Sequence, residues 1–207
     1  MNKVFLFDFD STLINEEVID CLAAKAGVTE EVSGITSSAM AGEIDFSESL
    51  IRRVSLLSGL SVTALDEVRA SITLTKGAEE LISDLQARGD LVAVVSGGFT
   101  EVISPKLDTL KISRYRANSL EIIDGKLSGK VQGKIIDRRA KAEFLKEIAF
   151  SSGIPISNTV AIGDGANDIE MIQTAGIGVA FCAKPALIEV ADRVINTRDL
   201  REVLKVI

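Results

Sequence analysis

Histidine is absent from this 207-residue chain, and the absence excludes much chemistry. There can be no Ser-His-Asp triad, no imidazole-ligated zinc and no phosphohistidine intermediate. Hydrolytic chemistry has to use carboxylates, lysine, serine or a metal held by oxygen. Cysteine is scarce: only Cys21 and Cys182 occur. Neither belongs to a Cys-x-x-Cys pair, which argues against a thiolate metal site. Neither has an Arg six residues later, so a cysteine-phosphatase loop is not supported, and both read as packing residues. No run of about 18 uninterrupted apolar residues predicts a membrane span. The N-terminus lacks the charged, apolar and small-residue sections of a signal peptide, so a cytoplasmic location is expected. An excess of positive charge is also missing. With 23 Lys and Arg against 30 Asp and Glu, the net charge is -7, which argues against nucleic acid as a partner. A small anionic substrate needs only two or three local cations and stays compatible. Finally, no Gly-x-Gly-x-x-Gly follows the first apolar strand, which disfavours a dinucleotide enzyme.

The apolar fraction of 46% predicts a globular core. Val4–Phe7 reads as a buried strand. After it the chain turns wholly helical. Asn15 can cap a helix through Lys25, stopped by Gly27, and Thr29 can cap a second that ends near Gly42. Asp45 can cap a third, with Phe46, Leu50, Val54 and Leu57 at helical spacing, and Ser61 starts a fourth. A parallel unit needs one crossover helix here, so four predict an inserted helical cap over residues 14–75. Strand and helix then alternate: a strand Leu91–Val95, a helix from Thr100 in which Pro105 predicts a bend or a late start, and an antiparallel hairpin beside the main sheet around Asp124-Gly125. A helix capped by Asp137 follows, then strands Thr159–Ile162, Ile177–Phe181 and Arg193–Ile195 with helices between and after them. The pattern predicts an α/β protein: a Rossmann-like three-layer sandwich with a parallel central sheet, the helical cap inserted after strand 1, and a small β-hairpin. The core comprises residues 1–13 and 76–207.

Three polar clusters follow apolar strands. Asp8 and Asp10 follow the first, Ser96-Gly97-Gly98 the second, and Gly163-Asp164-Gly165-Ala166-Asn167-Asp168 a third. In open α/β sheets that edge binds ligands. Two residues apart, Asp8 and Asp10 face the same way in extended geometry, and carboxylates that close repel unless a cation or shared proton offsets them. Asp8, Asp10 and Asp164 offer oxygen ligands alone, which favours one Mg²⁺. Ser96 and the backbone N–H groups around Gly97 and Gly98 can hold phosphate oxygens. A lysine is still needed to offset the remaining charge, and spacing leaves Lys130, Lys134 and Lys141 all open.

Asp8-Phe9-Asp10-Ser11-Thr12 resembles the signature of the haloacid-dehalogenase superfamily of phosphatases. Val94-Val95-Ser96-Gly97-Gly98 resembles its second motif, and Gly163–Asp168 its fourth. Its third motif is a lysine on a helix, which Ala140-Lys141-Ala142 matches. Within the superfamily, Asn15-Glu16-Glu17, Ala39-Met40-Ala41-Gly42, Phe46, Arg52–Leu57 and Ala180–Pro185 resemble the phosphoserine phosphatases. The resemblance covers nearly the whole chain. It implies Asp8 as nucleophile and Asp10 as general acid and base. It implies Mg²⁺ on Asp8, Asp164 and the Asp10 carbonyl, phosphate held by Ser96, Gly97, Lys141 and Asn167, and Asp168 orienting metal-bound water. For the substrate it implies Glu17 on the ammonium, Arg53 on the carboxylate, and Met40 and Phe46 lining the cap. The partner is then the small molecule phosphoserine, with no nucleic acid or membrane, and the protein a monomer or homodimer. Met40 and Phe46 also suit an apolar core, and Arg52 competes with Arg53. A phosphatase or phosphotransferase for another small monophosphate, and a non-catalytic phosphate-binding module, are the competing readings.

Overall fold

The computed structural model describes residues 2–40 and 42–207. They form a seven-stranded sheet: β1 (Val4–Phe7), β2 (Leu91–Phe99), β3 (Tyr115–Ile123), β4 (Lys126–Gln132), β5 (Thr159–Gly163), β6 (Ile177–Phe181) and β7 (Arg193–Ile195). The order is β4-β3-β2-β1-β5-β6-β7, and only β4 runs antiparallel to its neighbour. β1 lies at the centre, with Val4 opposite both Leu91 and Thr159. The chain moves out from it to one side through β2 and β3, and later to the other through β5, β6 and β7. The end of β1 is therefore the point where the winding reverses, the position at which open α/β sheets bind ligands.

Every residue of β1 is fully buried, because helices cover both faces. Phe5 and Phe7 face one core and Val4 and Leu6 the other. The first core takes in α5 (Ala78–Ala87) and α6 (Thr100–Thr109), the second α7 (Arg138–Ser151) and α8 (Ile169–Thr174). Strands buried on both faces lose the polar alternation of an exposed sheet, hence the continuous apolar runs. These are the three layers expected of a Rossmann-like sandwich. The two short helices α9 (Pro185–Ile188) and α10 (Val203–Val206) complete the chain.

Between β1 and α5 lie four helices, α1 (Val18–Ala26), α2 (Thr29–Met40), α3 (Phe46–Ser55) and α4 (Val62–Ser71). Gly27 ends α1 in the left-handed region, where glycine has no steric penalty. Asp45 caps α3 by accepting from Glu48 N at 2.7 Å, and Ser61 caps α4. Asn15, expected as the cap of α1, does something else. Glu17 occupies that position, and Asn15 bonds across the chain to the Thr73 hydroxyl and the Leu74 carbonyl. Its backbone N–H reaches Thr73 O at 3.1 Å, Thr75 N reaches Leu13 O at 2.8 Å, and Glu16 holds Thr73 N at 2.9 Å. The two connections to the helical insertion thus form one short antiparallel ribbon. A second tie joins the insertion to the hairpin: Gly59 N donates to Leu127 O and Leu127 N to Leu60 O, both at 2.8 Å.

Two further details, in β2 and in the hairpin, depart from the sequence expectation. β2 runs on to Phe99 instead of ending at Val95. Pro105 sits inside α6 without ending it. The hairpin joins the sheet edge itself, since β3 pairs in parallel with β2, and Asp124 and Gly125 both take the positive φ that the tight turn requires. Among the described residues, no helix is long and apolar enough to cross a membrane.

Candidate active site

The loop after β1 carries the first two carboxylates. Asp8 N bonds to Ile162 O of β5 at 2.8 Å, the last link of the strand to the sheet. The chain then leaves extended geometry, and Ser11 takes a left-handed φ of 54°. Asp10 is therefore aimed by a turn and not by the strand alternation of Asp8. Its Oδ1 accepts from Val18 N at 3.0 Å, at the start of α1, and its Oδ2 accepts from the Ser96 hydroxyl at 3.2 Å. Ser96 Oγ in turn accepts from Gly98 N at 2.8 Å. The Gly98 N–H thus holds the hydroxyl oxygen while its one proton goes to Asp10. A β-carbon on Gly98 would come within 2.6 Å of Asp10 Oδ2, so only glycine lets this turn pass so close to Asp10.

Asp8 meets the lysine. Lys141 lies one turn into α7, whose first N–H groups are capped by Asp137 at 2.8 Å. Its side chain is fully buried, with Nζ 2.8 Å from Asp8 Oδ1 and 2.7 Å from Asp168 Oδ1. Lys134 instead pairs with Glu143 at the surface, so geometry separates lysines that spacing could not. Burial alone would lower the Lys141 pKa, but Asp168 and Asp8 outweigh it and raise it. Asp168 is saturated by protein donors: its Oδ2 also accepts from Asp164 N at 3.2 Å and Gly165 N at 3.1 Å. It holds both the lysine and the turn after β5. A β-carbon on Gly163 would lie 2.4 Å from Asp168 Oδ2, so that close approach needs a glycine as well. Asn167 spans the gap, its side chain beside the space over both Gly165 and Gly97.

Carboxylate oxygens of Asp8, Asp164 and Asp168 all lie within 4.8 Å of one another. One lysine does not balance them. Burial, then the charge of Asp168, holds the Asp8 pKa well above the ordinary carboxylate range despite Lys141. Burial, then Asp168 and Glu17, pushes Asp164 up to about 7. An all-oxygen cluster carrying this excess of negative charge fits a small hard cation such as Mg²⁺. Asp10 also rises to about 7, through burial first and then the charge of Glu17.

The helical insertion supplies the other wall. Glu17 accepts from the Ser11 hydroxyl at 2.7 Å. Arg53 is partly buried, with Nε 3.3 Å from Ser49 O, and its charge is felt with those of Asp20 and Glu17. Arg52 points outward and pairs with Glu48 on the surface, which separates the two arginines. Phe46 sits over the glycine turn: a β-carbon on Gly97 would lie 3.2 Å from its Cζ. Met40 is 69% exposed at the end of α2, so it is no core residue, and its neighbour Ala41 lies outside the described residues.

Residues 5–173 match the haloacid dehalogenase-like hydrolases. The chain belongs to that family. Among its relatives in the haloacid dehalogenase-like hydrolases is the phosphoserine phosphatase of Methanocaldococcus jannaschii, 51% identical over 205 residues, which cover 99% of this chain and 97% of that one. The phosphoserine phosphatase of Streptomyces coelicolor is 49% identical over 202 residues, and the match spans 49% of its length. Two solved structures overlay closely. A substrate-bound phosphoserine phosphatase complex gives a TM-score of 0.95 at 50% identity, covering 100% of this chain and 99% of that one. A phospho-aspartyl intermediate analogue of phosphoserine phosphatase gives 0.94 with the same identity and coverage.

Among the arrangements not foreseen from sequence are two ties around this site. One is the clamp of Asp168 on the 164–165 backbone. The other is Arg198, which donates to Asn15 Oδ1 at 2.9 Å and Ser11 O at 3.2 Å, tying the C-terminal segment to the loop after β1. Exposed arginines are common in any chain, and nothing local marks this one.

Proposed function

We propose that this protein is a Mg²⁺-dependent phosphoserine phosphatase that hydrolyses O-phospho-L-serine through an aspartyl-phosphate on Asp8. The observation that carries the reading is the buried Asp8–Lys141–Asp168 clamp, together with a second charged group, Glu17 and Arg53, in which the charge of Glu17 is felt both at Asp164 and at Arg53. The first is a phosphate site with a nucleophile, the second an ammonium and carboxylate site. Residues 14–75 act as a cap over the core of residues 1–13 and 76–207, and the enzyme works as a soluble cytoplasmic monomer or homodimer.

In this reading Ser96, the Gly97 N–H, Lys141 and Asn167 grip the phosphate oxygens. The Asp8 carboxylate attacks phosphorus, forming an O–P bond as the bond to the serine oxygen breaks. Asp10 gives its proton to that oxygen. A water then attacks the aspartyl-phosphate, Asp10 takes its proton, and the Asp8–phosphate bond breaks to release phosphate. A single Mg²⁺ held by Asp8, Asp164 and the Asp10 carbonyl, with Asp168 behind them, would supply countercharge for phosphate beside a carboxylate. Glu17 pairs with the substrate ammonium and Arg53 with its carboxylate, through the two-pronged contact that guanidinium favours. Phe46 and Met40 close over the serine part.

A pKa of about 7 suits Asp10 to both steps. The protonated form is the acid, so formation of the aspartyl-phosphate should slow above about pH 7. Its hydrolysis needs the base and should slow below about pH 7. Asp10→Asn is expected to remove both limbs and slow both half-reactions by roughly 10²–10⁴-fold, as followed by quenched flow across pH 5–9. Unchanged half-reaction rates in that variant would contradict the role. Arg53→Ala should raise KM for phosphoserine at least about tenfold while leaving an aryl phosphate within about twofold. Equal losses on both substrates would argue against carboxylate recognition.

Phosphate release from a panel of small monophosphates, with and without Mg²⁺, tests the function as a whole. Phosphoserine should lead the panel and activity should vanish with chelator. A better substrate without an amino-acid group would overturn the assignment, and homoserine added as acceptor would expose transfer in place of hydrolysis.

A further inference from the structure

The turn that is to hold phosphate is a bulge in β2. From Val95↔Arg116 to Phe99↔Asn118 the register advances four residues on β2 against two on β3. A bulge breaks the ladder and re-aims what it carries. It also frees backbone groups that cannot be left unpaired in a buried place. Gly98 N–H is taken by Ser96 Oγ. The Gly97 carbonyl is taken by a side chain from the next strand: Asn118 Nδ2 donates to it at 2.8 Å. Asn118 is 1% exposed, and its Oδ1 accepts from Ile136 N, also at 2.8 Å. A carbonyl can only accept and an N–H only donate, so the amide has one orientation here.

Resting on the reading of this site as a phosphate site, we propose that Asn118 is a positioning residue that sets the Ser96–Gly98 turn against Lys141. The peptide between Gly97 and Gly98 is pinned at both ends, its oxygen by Asn118 and its N–H by Ser96. If the first pin is lost the peptide can rotate, Ser96 Oγ loses its donor, and the serine proton is no longer aimed. The other half of the amide fixes Ile136, which directly precedes Asp137, the cap of the helix that carries Lys141. One buried side chain thus ties together the two groups meant to grip the phosphate from opposite sides. Glu17 and Arg53, on the helical insertion, are not part of this linkage.

The test is product inhibition by inorganic phosphate and by L-serine, measured separately with Mg²⁺ in excess, on the parent and on Asn118→Asp. That variant keeps an acceptor for Ile136 N–H but sets a second oxygen against the Gly97 carbonyl. Asn118→Ala serves where the buried carboxylate prevents folding. The expected result is a Ki for phosphate raised about tenfold, the worth of one hydrogen bond to a ligand-holding group, with the Ki for serine within about twofold. Melting curves confirm that the variant is folded at the assay temperature. A phosphate Ki within about twofold of the parent would overturn the proposal. So would equal rises for phosphate and serine, because a residue that only supports the fold would loosen both. A parent that does not hydrolyse phosphoserine, or is not inhibited by phosphate, would instead sink the reading of the site.

Discussion

Lys141→Met is expected to damage both stability and turnover. The ammonium is fully buried between Asp8 and Asp168. Its removal leaves two buried carboxylates facing each other without a countercharge, a defect that typically costs about 3–5 kcal/mol. For a chain of this size that lowers Tm by roughly 6–20 °C. Turnover should fall at least about 10²–10³-fold, the usual loss when one preorganised donor to a developing anion is removed. A second change separates the two effects. Asp168→Asn in the Lys141→Met background takes away one of the stranded charges, so Tm should partly recover while activity does not. Melting in chelator and phosphate release in Mg²⁺ read the two quantities. A single variant that melts within about 2 °C of the parent would mean that the clamp carries little of the site's electrostatic balance.

Asp8→Asn should lower turnover by roughly 10⁴–10⁶-fold, the scale seen when a nucleophile is removed from a cooperating set. Its effect on stability has the opposite sign. The Asp8 pKa is raised in the folded protein, so the native state holds this proton more tightly than the unfolded chain does. Such a group loses stability as pH rises from the unfolded pKa, near 4, through the folded one. At pH 8 the ionised carboxylate is therefore a cost that the amide lacks. Without Mg²⁺, Asp8→Asn should melt at or above the parent temperature at pH 8, with the difference shrinking towards pH 4. Mg²⁺ held as proposed, by the native site alone, should raise the parent Tm. That rise should be smaller in Asp8→Asn. Differential scanning calorimetry at the two pH values, with and without the ion, gives all four numbers. A variant that loses stability at pH 8 and still gains the full Mg²⁺ increment would place the ion elsewhere.

Sequence patterns disclosed the frame of the site because the frame is made of local signals. Val4–Phe7 and Thr159–Gly163 are buried on both faces, so each reads as an unbroken apolar run, and the polar residues after it are conspicuous. Asp45 and Asp137 cap helices through bonds three residues away, a distance that sequence reading resolves. Bonds that span the chain are another matter. Asn15 looked like a helix cap because its true partner, Thr73, is 58 residues away. β2 seemed to stop at Val95 because Ser-Gly-Gly is a poor strand; the strand goes on because a side chain from β3 completes its bonding. Asn118 gave no signal at all, standing in an ordinary strand with partners 21 and 18 residues distant. Spacing left Lys141 level with Lys134 and Lys130. The resemblance of Ala140-Lys141-Ala142 to the family's third motif singled it out, and its full burial between two carboxylates gives the physical reason.

Asp10 feels opposing influences. The charge of Lys141 lowers its pKa. Burial beneath the helical insertion and the charge of Glu17 push the other way and hold it at about 7. Glu17 belongs to the insertion, so the insertion helps to set the proton affinity of Asp10.

The central claim is a covalent phosphate on Asp8. Rapid acid quenching of the enzyme mixed with radiolabelled phosphoserine and Mg²⁺, followed by peptide mapping, tests it most directly. The account predicts label on the peptide that contains Asp8, formed before free phosphate appears and absent from Asp8→Asn. Phosphate released at full rate with no protein-bound label at any time, or label on a residue other than Asp8, would contradict it.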